Sequence, residues 1–226
     1  MQRSVGLTGR LLRHRVGTGS VAGRYRTGWP HPNQVGWVYR SGVVWGTIAP
    51  MSNAAIDPVQ SPEAYRRQLL DLLGGDDPAA VLGATVARLR ELVRDAGDGL
   101  RVRPEPTEWS VVECIGHLVD SELTTAARVR WILSEDQPDI VGYDQDLWVD
   151  RLRHRDDDPD DLIALFDALR GANLRLWEAR PPADRERVGI HRERGPESYG
   201  LIVRLAAGHD RFHIGQAERA LAAVRP

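Results

Sequence analysis

The stretch from Tyr199 to Arg225 constrains this chain most, because one predicted helix carries both an apolar stripe and two histidines. His209 and His213 are four residues apart, so on a helix they stand one turn above the other on the same face. Ile202, Leu205 and Ala206 precede them on that stripe, and Gln216 and Ala220 follow. The pair is therefore expected to face inward. Two imidazoles so placed converge on one ion, since neutral histidine nitrogens reach zinc at about 2.0–2.1 Å. A third ligand has to come from elsewhere, and His117 is the candidate.

The rest of the regular chain also reads as helix. Ser61-Pro62-Glu63 starts a short leading helix, with proline at the first helical position, and Gly74-Gly75 stops it. Asp77-Pro78 starts the next, in which Val81, Leu82, Val86, Leu89 and Val93 recur at helical spacing up to Gly97. Ser110-Val111-Val112-Glu113 reads as a capping box opening a helix to about Leu133. His117 lies two turns into it, with Asp120, Ser121, Thr124 and Arg128 along its face; Val112, Ile115, Val119 and Leu123 form an apolar stripe on the far side. Taken alone, His117 reads as an incidental histidine on a solvated face.

Residues 134–158 form a long polar connection, longer than the usual two to eight residues between bundle helices. Tyr143, Asp144, Asp146 and Trp148 either hang over a site or serve as turn and packing residues. Asp158-Pro159 starts a further helix, with Leu162, Leu165, Phe166, Leu169, Asn173, Leu176 and Trp177 on its buried side, and Pro181-Pro182 ends it. No stretch reads as a strand. The sum is an all-α fold, a helical bundle of four substantial helices with a short leading helix.

Charge and composition narrow the function. All 30 basic residues are arginine, against 32 acids, for a formal net charge of −2. Residues 1–50 carry seven of the arginines and no acid, which leaves the rest of the chain at −9. An acidic main body argues against a nucleic-acid-binding surface. No run approaches the roughly 18 apolar residues of a membrane span. The single cysteine, Cys114, excludes an internal disulfide and fits a reducing, cytoplasmic setting. Residues 1–50 hold nine of the 22 glycines and no persistent period, so they are expected to be an irregular leader. Met51 then reads as the start of the natural protein, and residues 51–226 as one domain.

Two motifs carry a family resemblance. Glu108-Trp109-Ser110-Val111-Val112-Glu113-Cys114-Ile115-Gly116-His117-Leu118 resembles the second helix of the DinB/YfiT-like metal-binding proteins. Ala207-Gly208-His209-Asp210-Arg211-Phe212-His213-Ile214-Gly215-Gln216 resembles their last helix, and the likeness covers about residues 78–222. It implies a four-helix bundle with a long crossover between the second and third helices. It also implies a metal site at His117, His209 and His213, and a homodimer. Asp210 departs from the pattern, where glutamate is frequent.

Three neutral ligands leave a divalent ion with its charge uncompensated and a coordination position open. That position suits water or a thiolate. The expected activity is hydrolysis, or transfer of a low-molecular-weight thiol cofactor to a small-molecule substrate; thiol transfer is implied by the resemblance alone. Zinc or nickel is favoured over the alternatives manganese and iron, because a facial-triad iron site uses a carboxylate. The alternatives are a non-catalytic metal-binding or stress-related protein, and a helical interaction module with core histidines.

Neighbouring residues are weighed in the same way. Cys114 reads as a small buried hydrophobe before it reads as a fourth ligand. Glu113 is taken up by the capping box, which leaves Asp120 as the carboxylate to hold a ligand histidine from behind. Arg128, Tyr143 and Gln216 are further candidates for supporting a ligand or meeting a substrate, and Arg128 would suit an anionic one. Asp210 makes His209-Asp210-x-x-His213 similar to a metalloprotease signature, but its side chain is short and no third ligand follows. His14, His31, His154 and His191 read as solvated or locally bonded.

Overall fold

The computed structural model describes residues 56–225. The expected leader over residues 1–50, with His14 and His31, lies outside them. Helix boundaries fall where the capping chemistry puts them. Helix α1 (Pro62–Leu73) ends at Gly74, whose φ of +62° suits glycine. Helix α2 (Pro78–Ala96) starts where the Asp77 carboxylate accepts from Ala79 N at 3.2 Å. Helix α3 (Val111–Ser134) opens on the capping box, with the Glu113 carboxylate accepting from Ser110 N at 2.9 Å. Asp144 caps α4 (Gln145–Leu152), Asp158 caps α5 (Pro159–Ala179), and Ser198 caps α6 (Tyr199–Val224).

Four of these helices make the bundle. Helix α3 packs against α5 and α6, and α2 packs against the same two, so α2 and α3 face each other across the core. Helix α1 lies along α6. It comes so close that a Cβ at Gly208 would collide with the Leu69 carbonyl, which is why glycine precedes His209. One apolar cluster gathers Leu89, Val111, Ile115, Leu118, Phe166 and Ile214; a second gathers Val81, Val129, Ile132, Tyr199, Ile202 and Val203. Each such side chain stabilises the fold by about 1.5–3 kcal/mol on full burial. Among the described residues, no helix is long and apolar enough to cross a membrane.

Three sequence expectations change. A small sheet exists: β1 (Asp139–Ile140) pairs in parallel with β2 (Val188–His191), which pairs antiparallel with β3 (Gly195–Ser198). These strands are too short to show an alternating period. The 134–158 connection is not simply polar coil, since it holds β1, α4 and a 3₁₀ turn at His154–Asp156. The expected far-side stripe of α3 is wrong at Leu123, which is 48% exposed, as is Leu165 of α5 at 49%. Residues Val111 to Asp120 are instead buried all round, because α5, α6 and the returning crossover surround that half of α3. The polar face of His117 is thus inside the molecule.

Candidate metal centre

Helices α3 and α6 bring the three histidines together. His117 is 1% exposed, and His209 and His213 are also buried. The ring centroids lie 4.3 Å apart for His117 and His213, 4.4 Å for His209 and His213, and 5.0 Å for His117 and His209. Trp109, just before α3, stacks on His213 with a centroid separation of 5.7 Å and tilts against His117 at 4.9 Å. On the other side of α3, Gly116 leaves room for the His154 ring, which a Cβ would strike.

The donor set fits a divalent cation. One ligand atom from each of the three rings can be chosen so that all lie within 4.8 Å of one another. His117 Nε2 is 3.1 Å from His209 Nε2. Two nitrogens bound to one tetrahedral zinc stand about 3.3 Å apart, given bond lengths of 2.0–2.1 Å. His213 Nδ1 meets Gln216 Oε1 at 2.8 Å. A neutral His213 therefore holds its proton on Nδ1 for Gln216 and keeps the Nε2 lone pair free.

Electrostatics keep all three rings neutral. Burial lowers the pKa of His209 to about 3, with Arg170 adding to the effect. Burial, followed by the neighbouring histidines, holds His117 well below the usual histidine range. Burial and then His209 do the same for His213. Neutral imidazole is the form that binds metal.

The other sequence candidates divide: Gln216 reaches the trio, whereas Asp120 does not hold a ligand histidine as expected, because His154 packs against α3 and takes its carboxylate. Gln216 holds His213, as above. The Asp120 carboxylate turns to His154 Nε2 at 2.8 Å, and His154 Nδ1 meets Asp157 at 2.7 Å. His154 is thus locally bonded, as one of its two readings had it, but buried rather than solvated, and its hydrogen bond to Asp120 raises its pKa. His191 is buried too, with Nδ1 accepting from the Glu193 and Arg194 amides at 3.3 Å. Cys114 is fully buried among apolar side chains, and burial pushes its thiol pKa up, so it stays protonated. The Glu113 carboxylate is occupied by Ser110 and by Arg103, 2.6 Å away. Trp148 packs at a tilt against Tyr143, with centroids 4.4 Å apart.

Asp210 does not turn to the histidines. Its carboxylate accepts from Arg170 at 2.6 Å and from Thr85 Oγ1 at 2.6 Å, and Arg170 also binds Glu122 at 2.8 Å. All three ions are buried. Burial works against the Arg170 charge, but Asp210 and Glu122 outweigh it and hold the pKa above the ordinary arginine value. An arginine on the same stripe as Leu162 and Phe166 was the available signal for this network. Sequence reasoning passed over it, as it passed over the packing role of Trp109.

A cavity of about 560 Å³ reaches the trio at His117 and His209. Ser121, Thr125 and Arg128 continue its wall along α3, and Tyr143 and Asp146 enter from the crossover. Arg194 and Glu197 line it from β3 and the turn before it. Burial, with Asp144 and Asp150 nearby, raises the pKa of Asp146. The site is thus a buried three-histidine group opening onto a polar chamber.

Residues 79–217 match the model of the DinB superfamily. The chain belongs to that superfamily. A protein of Oceanobacillus iheyensis provisionally named a metal-dependent hydrolase is 29% identical over 107 residues, which span 47% of this chain and 61% of that one. A Bacillus licheniformis protein with the same kind of name is 32% identical over 108 residues, 47% of this chain and 61% of its own. The chain thus spans about three fifths of the length of the first curated relatives it matches. A Geobacillus thermodenitrificans relative, also provisionally named a metal-dependent hydrolase, is 26% identical over 76% of this chain and 88% of its own. YfiT from Bacillus subtilis, described as a probable metal-dependent hydrolase with an unusual four-helix bundle topology, superposes with a TM-score of 0.58. That match has 21% identity and covers 70% of this chain and 86% of YfiT. It supports the fold.

Proposed function

We propose that this superfamily member is a divalent-metal-dependent enzyme that activates a water molecule or a small thiol for attack on a substrate in the chamber. The observation that carries the reading is the buried, neutral set of His117, His209 and His213 at the wall of a 560 Å³ cavity. A divalent ion held there would supply a Lewis acid that lowers the pKa of water or a thiol beside it.

The chain's own residues supply the rest. Gln216 fixes the His213 tautomer, so that Nε2 faces the group. Trp109 shields two of the rings on one side. Asp146 is the candidate general base: it lines the chamber, and its raised pKa favours receiving a proton on its carboxylate oxygen. Hydrolysis is supported by the names of the relatives. Thiol transfer is supported by the all-neutral ligand set, which leaves cationic charge that favours a thiolate. Zinc or nickel suits three imidazoles without a carboxylate. Cytoplasmic placement and a homodimer belong to the same reading.

The deciding experiment loads the full chain with cobalt and titrates it with 2-mercaptoethanol, beside a panel of activated ester and amide substrates. Metal-dependent thiol affinity, lost in His209→Ala, supports thiol activation. Turnover of the panel without thiol affinity, also lost in His209→Ala, supports hydrolysis. Neither response with a stoichiometric ion present would sink the enzymatic reading and leave a metal-binding protein without turnover.

A further inference from the structure

Residues His117, Ser121, Thr125 and Arg128 recur at three- and four-residue spacing on α3, and all four line the chamber. The wall therefore runs from the metal histidines to an arginine, over about 16 Å of helix rise. Side chains tilt toward a helix N-terminus, so Arg128 is set to lean back toward the histidines.

The charges at the Arg128 end do not balance. Arg194 binds Glu197 with two hydrogen bonds, at 2.7 and 3.0 Å, and Arg66 shares the same carboxylate at 3.4 Å. Arg128 has no ion pair among the described residues; its Nη2 donates to the Val141 carbonyl at 2.9 Å. Two guanidinium groups thus share one buried carboxylate, and Arg128 lines the same chamber wall without an acid of its own among the described residues. Burial, and next the adjacent Arg194, disfavour the Arg128 charge.

The other acids of the chamber wall are otherwise engaged or exposed. Asp57 accepts from the Val59 and Gln60 amides, and Asp144 from the Leu147 amide. Asp146 and Glu193 are exposed, Glu193 against Gly142. Tyr143 and Tyr65, both lining the chamber, add neutral hydroxyls near the arginines.

We infer that Arg128 is an anion-recognition residue, and that the chamber takes a small molecule carrying a carboxylate at this end while its reacting atom lies near His117 and His209. A monoanion fits better than a dianionic phosphate, because a single guanidinium lacks an ion-pair partner among the described residues and the wall already holds several acids. The inference rests on the chamber being the substrate site, as proposed above. It adds which end of the substrate the protein grips, and with what.

The test uses ω-mercaptoalkanoates of three to eight carbons, each compared with its primary amide, in calorimetric titrations of the full chain with and without metal. At the best-fitting length, the acid should bind about ten- to a hundredfold more tightly than the amide, the range expected of a charge-assisted hydrogen bond. Arg128→Gln should abolish that preference while leaving amide affinity and metal content unchanged; Arg128→Lys should keep most of it. Equal binding of acid and amide at every length, an undiminished preference in Arg128→Gln, or no binding of either compound would overturn the assignment. Replacing the thiol by a hydroxyl in the same series isolates the other reading. Hydroxy acids binding as well as mercapto acids, regardless of metal, would remove the thiol proposal and leave the carboxylate preference standing.

Discussion

His117 Nε2 stands 3.1 Å from His209 Nε2, although 92 positions separate the two residues along the chain. Both rings are buried and neutral. Without a cation, two such nitrogens share at most one proton between them, and among the described residues His117 Nδ1 has no hydrogen-bond partner. A cation accepts both lone pairs at once. The fold thus holds three acceptors together in a way that favours an ion.

The metal-free protein should lose stability as pH falls from about 6.5. Burial first, with nearby positive charge, depresses the folded pKa of His117, His209 and His213, to about 3 for His209. The unfolded chain therefore takes up protons first, and stability present above pH 6.5 drains away toward pH 3. His191, depressed to about 4 mainly by burial, works in the same direction. His154 works oppositely: its hydrogen bonds to Asp120 and Asp157 raise its pKa, so its contribution is full below 6.5 and lost as pH rises through the folded value. Urea unfolding of the metal-free protein from pH 4 to 9 should show the loss on the acid side. A flat acid limb would count against neutral buried rings.

Removing Asp210 should cost about 3–5 kcal/mol, because Arg170 would keep a buried charge facing only Glu122. Asp210→Ala would be compared with the parent chain by urea midpoint and slope. A cost below about 1 kcal/mol would show that water reaches the triad. Joint replacement of Glu122, Arg170 and Asp210 by apolar residues of similar size should recover much of the loss.

Adding one methyl group at Gly208 should destabilise the fold by about 1–3 kcal/mol, because the obstacle is the Leu69 backbone carbonyl of α1. Gly116→Ala meets the His154 ring instead, which should be forced away from Asp120. Thermal melts of the two variants check both. A neutral Gly208→Ala would mean that α1 does not sit against α6 as closely as described.

The helices were legible because each begins or ends on local chemistry: Asp77-Pro78, the Ser110–Glu113 box, Asp158-Pro159, and the stops at Gly74 and Gly97. The histidine pair of α6 was legible from its spacing, and His117 from the resemblance of its motif. The sheet was not, because β1 has two residues and pairs Asp139 with Ile190 across the whole of α4 and α5. Nor was the Arg170 triad, whose three members come from three helices and show no shared period. The stripe through Leu123 failed for a related reason. Periodicity finds the more apolar face, and the first half of α3 is buried on every face.

If Asp146 receives the proton of the attacking group, Asp146→Asn should lower kcat by about 10²–10⁴ while the bound metal stays at the level of the parent chain. The same variant should lose the acid limb of the pH–rate profile that the raised carboxylate pKa sets. Unchanged turnover would remove Asp146 from the proton transfer.

The most direct test of the three-histidine centre is elemental analysis of protein purified without a metal-binding tag, beside His117→Ala, His209→Ala and His213→Ala. About one divalent ion per chain, lost in each of the three folded variants, is the predicted result. A parent chain that takes up neither zinc nor nickel, with variants altered only in stability, would contradict it. The three rings would then be a buried polar cluster of the core.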